Sequence, residues 1–140
     1  MKKEQVHIKA RNLYICILLI FFSCKKEKEA IISGYLNGKY WDVMSVENRK
    51  FVHPKYCSYF GANNDYFYYV YRIDKNTNKK VRIKFDYGDV IYPDKWYLES
   101  DSVINIQSFR YRILRLSENT LKIQNIEVPS DITEYKLSVD

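Results

Sequence analysis

The run Val81-Arg82-Ile83-Lys84-Phe85-Asp86-Tyr87 alternates without exception, apolar at every odd position and charged at every even one. Successive side chains of a β-strand leave the backbone on opposite faces, so this run has one face to bury and one to wet. A helix would scatter the same residues around its axis. The beat returns along the chain. Trp96 and Leu98 flank Tyr97, Ile104 and Ile106 flank Asn105, and Leu121 and Ile123 flank Lys122. Phe109, Tyr111 and Ile113 share a face opposite Arg110 and Arg112. Polar clusters at 63–65, 74–80, 100–101 and 117–119 separate the runs, and their Asn, Asp and Ser residues favour turns by bonding their own backbone or accepting left-handed conformations.

The pattern predicts strands near 36–46, 55–61, 66–73, 81–87, 95–99, 102–108, 109–116 and 120–127, with a further extended piece over 133–139. No window reads as a capped amphipathic helix of ten or more residues. The expected fold class is therefore all-β, an antiparallel up-and-down meander. A sheet of that many strands must hide its edges, and closure into a barrel of about eight strands does so. Fourteen Tyr and seven Phe, with only four Gly, suit such a half-buried pleated surface.

The first thirty residues have a different character. Residues 1–11 are basic, residues 14–22 (YICILLIFF) are continuously apolar, and Cys24 is followed at once by Lys25-Lys26-Glu27-Lys28-Glu29. The apolar run is about half the roughly twenty residues that span a bilayer, and a basic start before a short apolar stretch is the layout of a secretory signal peptide. The stretch Ile20-Phe21-Phe22-Ser23-Cys24 resembles a bacterial lipoprotein lipobox of the looser Bacteroidetes type. That resemblance implies cleavage after Ser23, lipid attachment at Cys24, and export to the cell envelope, with the outer membrane as the expected location on its periplasmic or surface face. The expected division is a signal peptide over 1–23, a lipidated cysteine and charged tether over 24–33, and a β-domain over 34–140. Of the three cysteines only Cys57 would then remain unmodified, so the domain is expected to hold together without an intrachain disulfide. The formal charge of +6 falls to +3 once residues 1–23, with four basic residues against Glu4, are set aside. That mild excess does not call for nucleic acid.

The order Trp96-x-Leu98, Ile104-x-Ile106, Tyr111-x-Ile113-x-x-Leu116 and Leu121-x-Ile123 resembles the closing strands of bacterial lipocalin-like domains, and Gly38 and Trp41 loosely match the opening strand. The resemblance spans roughly residues 34–126 and implies a lipocalin-like barrel on a lipid tether.

Several residues could carry chemistry. His53 and Cys57 lie four apart, but Pro54 intervenes and His53 is the only histidine after residue 24, so a surface histidine and a buried thiol are expected instead of a nucleophile pair or zinc site. Asp86, Asp89, Asp94, Glu99 and Asp101 lie in or beside turns and read as solvated loop ends. Arg82, Lys84, Arg110, Arg112 and Arg115 read as a wet barrel exterior. The aromatic run 66–71 is the most suggestive: Tyr66, Tyr68, Tyr69 and Tyr71, with Trp96, are candidate ligand-binding residues, unless that strand simply packs aromatics on both faces. The expected function is a membrane-anchored, non-enzymatic, monomeric lipocalin-like protein that binds a small apolar or amphipathic ligand. It needs no cofactor or metal and has no nucleic-acid partner. The alternative is an envelope interaction or inhibitor subunit with a packed barrel and no ligand.

Overall fold

The structure is a computed structural model that describes residues 25–47 and 49–139. The expected signal peptide over 1–23 and Cys24 lie outside the described residues. A helix over residues 25–36, α1, precedes ten strands: β1 (Lys39–Val46), β2 (Arg49–Lys50), β3 (Tyr56–Phe60), β4 (Tyr66–Ile73), β5 (Lys80–Lys84), β6 (Trp96–Leu98), β7 (Val103–Ile106), β8 (Phe109–Leu116), β9 (Thr120–Asn125) and β10 (Ile132–Leu137). All pairings are antiparallel, in the order β5-β4-β3-β1-β10-β9-β8-β7-β6, and β2 pairs with the end of β1. β1 and β10 meet in the middle of the sheet, with Trp41 opposite Leu137 and Val43 opposite Tyr135.

The expected closed barrel of about eight strands is not what forms. The nine-strand path curls through 226° and leaves an open half-barrel. Its end strands β5 and β6 do not pair, and backbone pairing between the two flanks is reduced to one isolated bridge, Asp65 opposite Lys95. The reason lies in residues 85–94, where the alternation that predicted a strand to Tyr87 runs into turn chemistry. The Asp86 carboxylate accepts the Gly88 N–H at 2.9 Å, Gly88 adopts a left-handed φ of 64°, and Pro93 has no N–H to give to a ladder. The edges are protected by other means: β6 has three residues, and β5 turns Lys80, Arg82 and Lys84 outward.

The core is the concave side of this curl. Register places Trp41, Val43, Ser58, Phe60, Tyr66 and Tyr68 on that face, joined by Ile104, Ile106, Leu121, Ile123 and Trp96 from the other flank. Residues 25–33, within the expected charged tether, are helical and form most of α1. Glu29, Ile32, Ser33 and Leu36 fall on one helical face at i, i+3, i+4 and i+7; Leu36 is wholly buried and Ile32 packs against the core. Lys25 pairs with Glu29 one turn on, and Lys28 reaches Asp101 at 3.6 Å. The helix ends where the Asn37 N–H bonds Ser33 O and Gly38 takes a φ of 71°.

Candidate ligand site in the concave face

Period-2 alternation divides the candidate tyrosines of β4 between the two faces of the sheet. Tyr66 and Tyr68 face the concave side, across from Phe60 and Ser58, whereas Tyr69 and Tyr71 face the convex side, across from Cys57 and Arg82. Trp96 is 2% exposed and packs edge-on against Phe60, with its indole N–H donated to Gly61 O at 3.1 Å. It anchors the core. The structure therefore brings Tyr66 and Tyr68 together, puts Tyr69 and Tyr71 on the opposite face, and sets Trp96 in the same concave core beside Phe60.

Tyr66 and Tyr68 line a concave cavity of about 240 Å³, with Tyr87, Tyr111, Tyr135 and Gln107. Val43 and Val46 supply apolar wall, and Thr133 and Asp131 add polar groups. Burial pushes the Tyr66, Tyr68 and Tyr135 hydroxyls far above their ordinary range and Tyr111 up to about 12, and neighbouring tyrosines add to each shift. The Tyr66 hydroxyl is satisfied by Ser58 Oγ at 2.8 Å.

Gln107 is the unusual member. It is 8% exposed; its Oε1 accepts the Tyr87 hydroxyl at 3.1 Å, and its Nε2 has no partner. A buried amide group left unpaired costs about 1–3 kcal/mol. Tyr87 can satisfy one end of that amide and not both. The backbone adds to the cost: Gln107 and Ser108 form the two-residue turn between β7 and β8 with φ values of 53° and 72°. Both central residues of a type I′ hairpin need positive φ, which Asn and Gly accept and Gln does not. Strain of this kind persists where surrounding structure imposes it, and it gathers at functional sites. The Asn105 side chain holds the turn by accepting the Ser108 N–H at 3.1 Å. Trp41 Nε1 and Asn37 Oδ1 are also buried without partners, but neither lines this cavity.

A string of ring contacts crosses the gap that the sheet leaves open: Phe51–Tyr56, Tyr56–Tyr68, Tyr68–Phe85, Phe85–Tyr87, Tyr87–Tyr92 and Tyr92–Phe109, with centroids 5.0–6.2 Å apart. Each pair contributes roughly 0.5–1.5 kcal/mol beyond its buried area. Side-chain packing thus does between β5 and β8 what ladder hydrogen bonds do elsewhere, and it sets Tyr87 in place above Gln107.

The convex tyrosines are used differently. Tyr40 packs on Tyr59 and Tyr69, Arg82 lies over Tyr40 at 4.2 Å, and Lys80 lies over Tyr71 at 3.6 Å. Tyr71 donates to Asp42 Oδ1 at 2.5 Å, and its own hydroxyl is pushed up to about 12, chiefly by burial. Cys57 is fully buried beneath these rings, and burial pushes its thiol up to about 11. A thiol so reluctant to ionise is a poor nucleophile. His53 is exposed on the loop between β2 and β3. No metal-binding cluster of His, Cys, Asp and Glu occurs among the described residues. The loop carboxylates are taken up locally: Asp94 pairs with Lys84 at 2.8 Å, Glu99 with Arg110 at 2.8 Å, and Asp101 with Lys28.

Sequence reasoning missed Gln107, Tyr87, Tyr111 and Tyr135 as members of the site. Tyr111 and Tyr135 sit on the inward positions of their strands, so alternation gave the face but not the cavity. The signal for Gln107 was available, since Gln107-Ser108 separates two alternating runs by two residues and lacks the Gly or Asn that such a turn prefers. No family model matches the chain, and no curated protein sequence matches it.

Proposed function

We propose that this domain is a non-enzymatic binding module that takes one small amphipathic ligand into the concave tyrosine cavity. The observation that carries this reading is the buried, unpartnered Gln107 Nε2 on a strained turn at the cavity wall. A ligand carbonyl or ether oxygen would satisfy that donor, while its apolar part lies against Val43 and Val46. The volume suits a single ring with a substituent, since cavities near 150 Å³ already hold benzene. The lipobox resemblance supports a setting for this module: exported, held at the envelope through a lipid on Cys24, with lipocalin-like ligand capture as its role.

Paired probes test the reading. Acetophenone and ethylbenzene have nearly the same shape, and only the first has a hydrogen-bond acceptor. Calorimetric titration of the full chain is expected to show acetophenone binding at least tenfold tighter, because a site that leaves a polar group unpaired discriminates strongly. Equal affinities, or no binding of either probe together with no co-purifying ligand in native mass spectrometry, would overturn it.

A further inference from the structure

We propose that the loop between β2 and β3 and the hairpin between β4 and β5 form one lobe that seats on an anionic lipid surface. Strand pairing brings the two segments together. β2 folds back on the end of β1, the Phe51 N–H donates to Met44 O at 2.8 Å, and the Tyr71 N–H donates to Lys55 O at 2.9 Å. Between them runs an open groove of about 630 Å³ with Phe51 and Pro54 in its wall.

Charge is concentrated here. Residues 47–55 and 72–80 hold seven basic residues (Arg49, Lys50, Lys55, Arg72, Lys75, Lys79 and Lys80) against Glu47 and Asp74, a net of +5. Residues 25–140 as a whole carry +3, from 19 basic and 16 acidic residues, so everything outside the lobe is net −2. Asp74 is the one acid of the hairpin, and its carboxylate is fixed within its own turn by the N–H groups of Asn76 and Thr77. Among the described residues, Lys50, Lys55 and Arg72 make no ion pair, and Lys80 is held only by the ring of Tyr71.

Apolar side chains stand out from the same lobe. Val52 is 90% exposed and Ile73 60% exposed, each next to cations. Aliphatic tips ringed by lysine and arginine match the interface of an anionic bilayer, where the tips enter the acyl boundary and the cations meet headgroup phosphates. A single-stranded nucleic acid would stack its bases on exposed rings, and the aromatic side chains of the groove, Phe51 and Tyr71, are committed to Tyr56 and Lys80.

The test is hydrogen exchange of the full chain with vesicles of phosphatidylcholine alone and with equimolar phosphatidylcholine–phosphatidylglycerol. The expected result is added protection of residues 49–55 and 72–80 on the mixed vesicles only, weakened by high salt. Each charge removed should lower affinity for the mixed vesicles about fivefold, so K50Q/R72Q should lose roughly 25-fold. V52S/I73S should keep the initial attraction and lose the lobe's protection. Every variant is confirmed folded by its thermal transition. Protection of the lobe by both vesicle types alike, by neither, or by soluble poly-glutamate in place of vesicles would overturn the proposal. The last result would make the partner an acidic protein.

Discussion

Tyr87 donates its hydroxyl to Gln107 Oε1 at 3.1 Å and so spends one end of a buried amide whose other end, Nε2, has no hydrogen-bond partner. The two residues come from opposite flanks of an incomplete sheet: Tyr87 lies on the loop that replaces a strand, and Gln107 on the strained turn after β7. An unpaired buried amide group and a left-handed turn at a non-glycine residue both cost stability at this point.

Replacing Gln107 should therefore separate stability from binding. Gln107→Gly removes the orphan donor and accepts the left-handed turn, so it is expected to stabilise the free protein by about 1 kcal/mol while abolishing preference for acceptor-bearing probes. Tyr87→Phe should act in the opposite sense on stability, because it strips Gln107 Oε1 of its donor at a cost of about 1–3 kcal/mol. Chemical denaturation of both variants, beside the wild type, checks the pair.

The Ser58–Tyr66 bond at 2.8 Å is wholly buried. Ser58→Ala and Tyr66→Phe should each cost about 1–3 kcal/mol, since each leaves a buried hydroxyl unpaired or a void. The double variant should cost less than the sum, and a double-mutant cycle reads the difference. Strict additivity would show that the two hydroxyls do not act as a pair.

Alkali should unfold the domain at a defined point. The folded hydroxyls of Tyr66, Tyr68, Tyr71, Tyr87, Tyr111 and Tyr135 all titrate above the ordinary value, those of Tyr71 and Tyr111 at about 12. A raised folded pKa stabilises fully below the unfolded value of about 10 and is lost as pH rises through the folded value. Stability should stay level to about pH 10 and fall steeply between there and about 12. Phenolate absorbance and far-ultraviolet dichroism should change together if these hydroxyls are shielded by the fold.

Gly34 lies inside α1 at ordinary φ, with nothing within 4 Å of where a Cβ would sit. Gly34→Ala should stabilise by about 0.5–1 kcal/mol. Leu36→Ala should cost about 2–5 kcal/mol, because that side chain is wholly buried against the core. Thermal denaturation distinguishes this helix from a passive tether, which neither substitution would affect.

The strands were legible because alternation is a local signal. The runs around Val81, Trp96, Ile104, Tyr111 and Leu121 all became strands, and the extended piece near 133–139 became β10. Closure was not legible, since it depends on what residues 85–94 do between two distant flanks; Gly88 and Pro93 end the ladder while Phe85 and Tyr87 turn inward to pack. α1 was hidden by its composition, because five charged residues at 25–29 mask a face completed by Ile32 and Leu36. The site was half legible. The face of Tyr66 and Tyr68 follows from spacing, but Gln107 enters through a turn whose meaning depends on the cavity beneath it.

The most direct test of the ligand site is the Gln107 side-chain amide in a ¹⁵N-correlated NMR spectrum of the full chain, titrated with acetophenone and, separately, with ethylbenzene. The expected result is a saturable shift of the Gln107 Nε2 resonance with acetophenone and none of comparable size with ethylbenzene. A Gln107 amide that ignores acetophenone while the probe binds elsewhere would contradict the assignment of this cavity as the binding site.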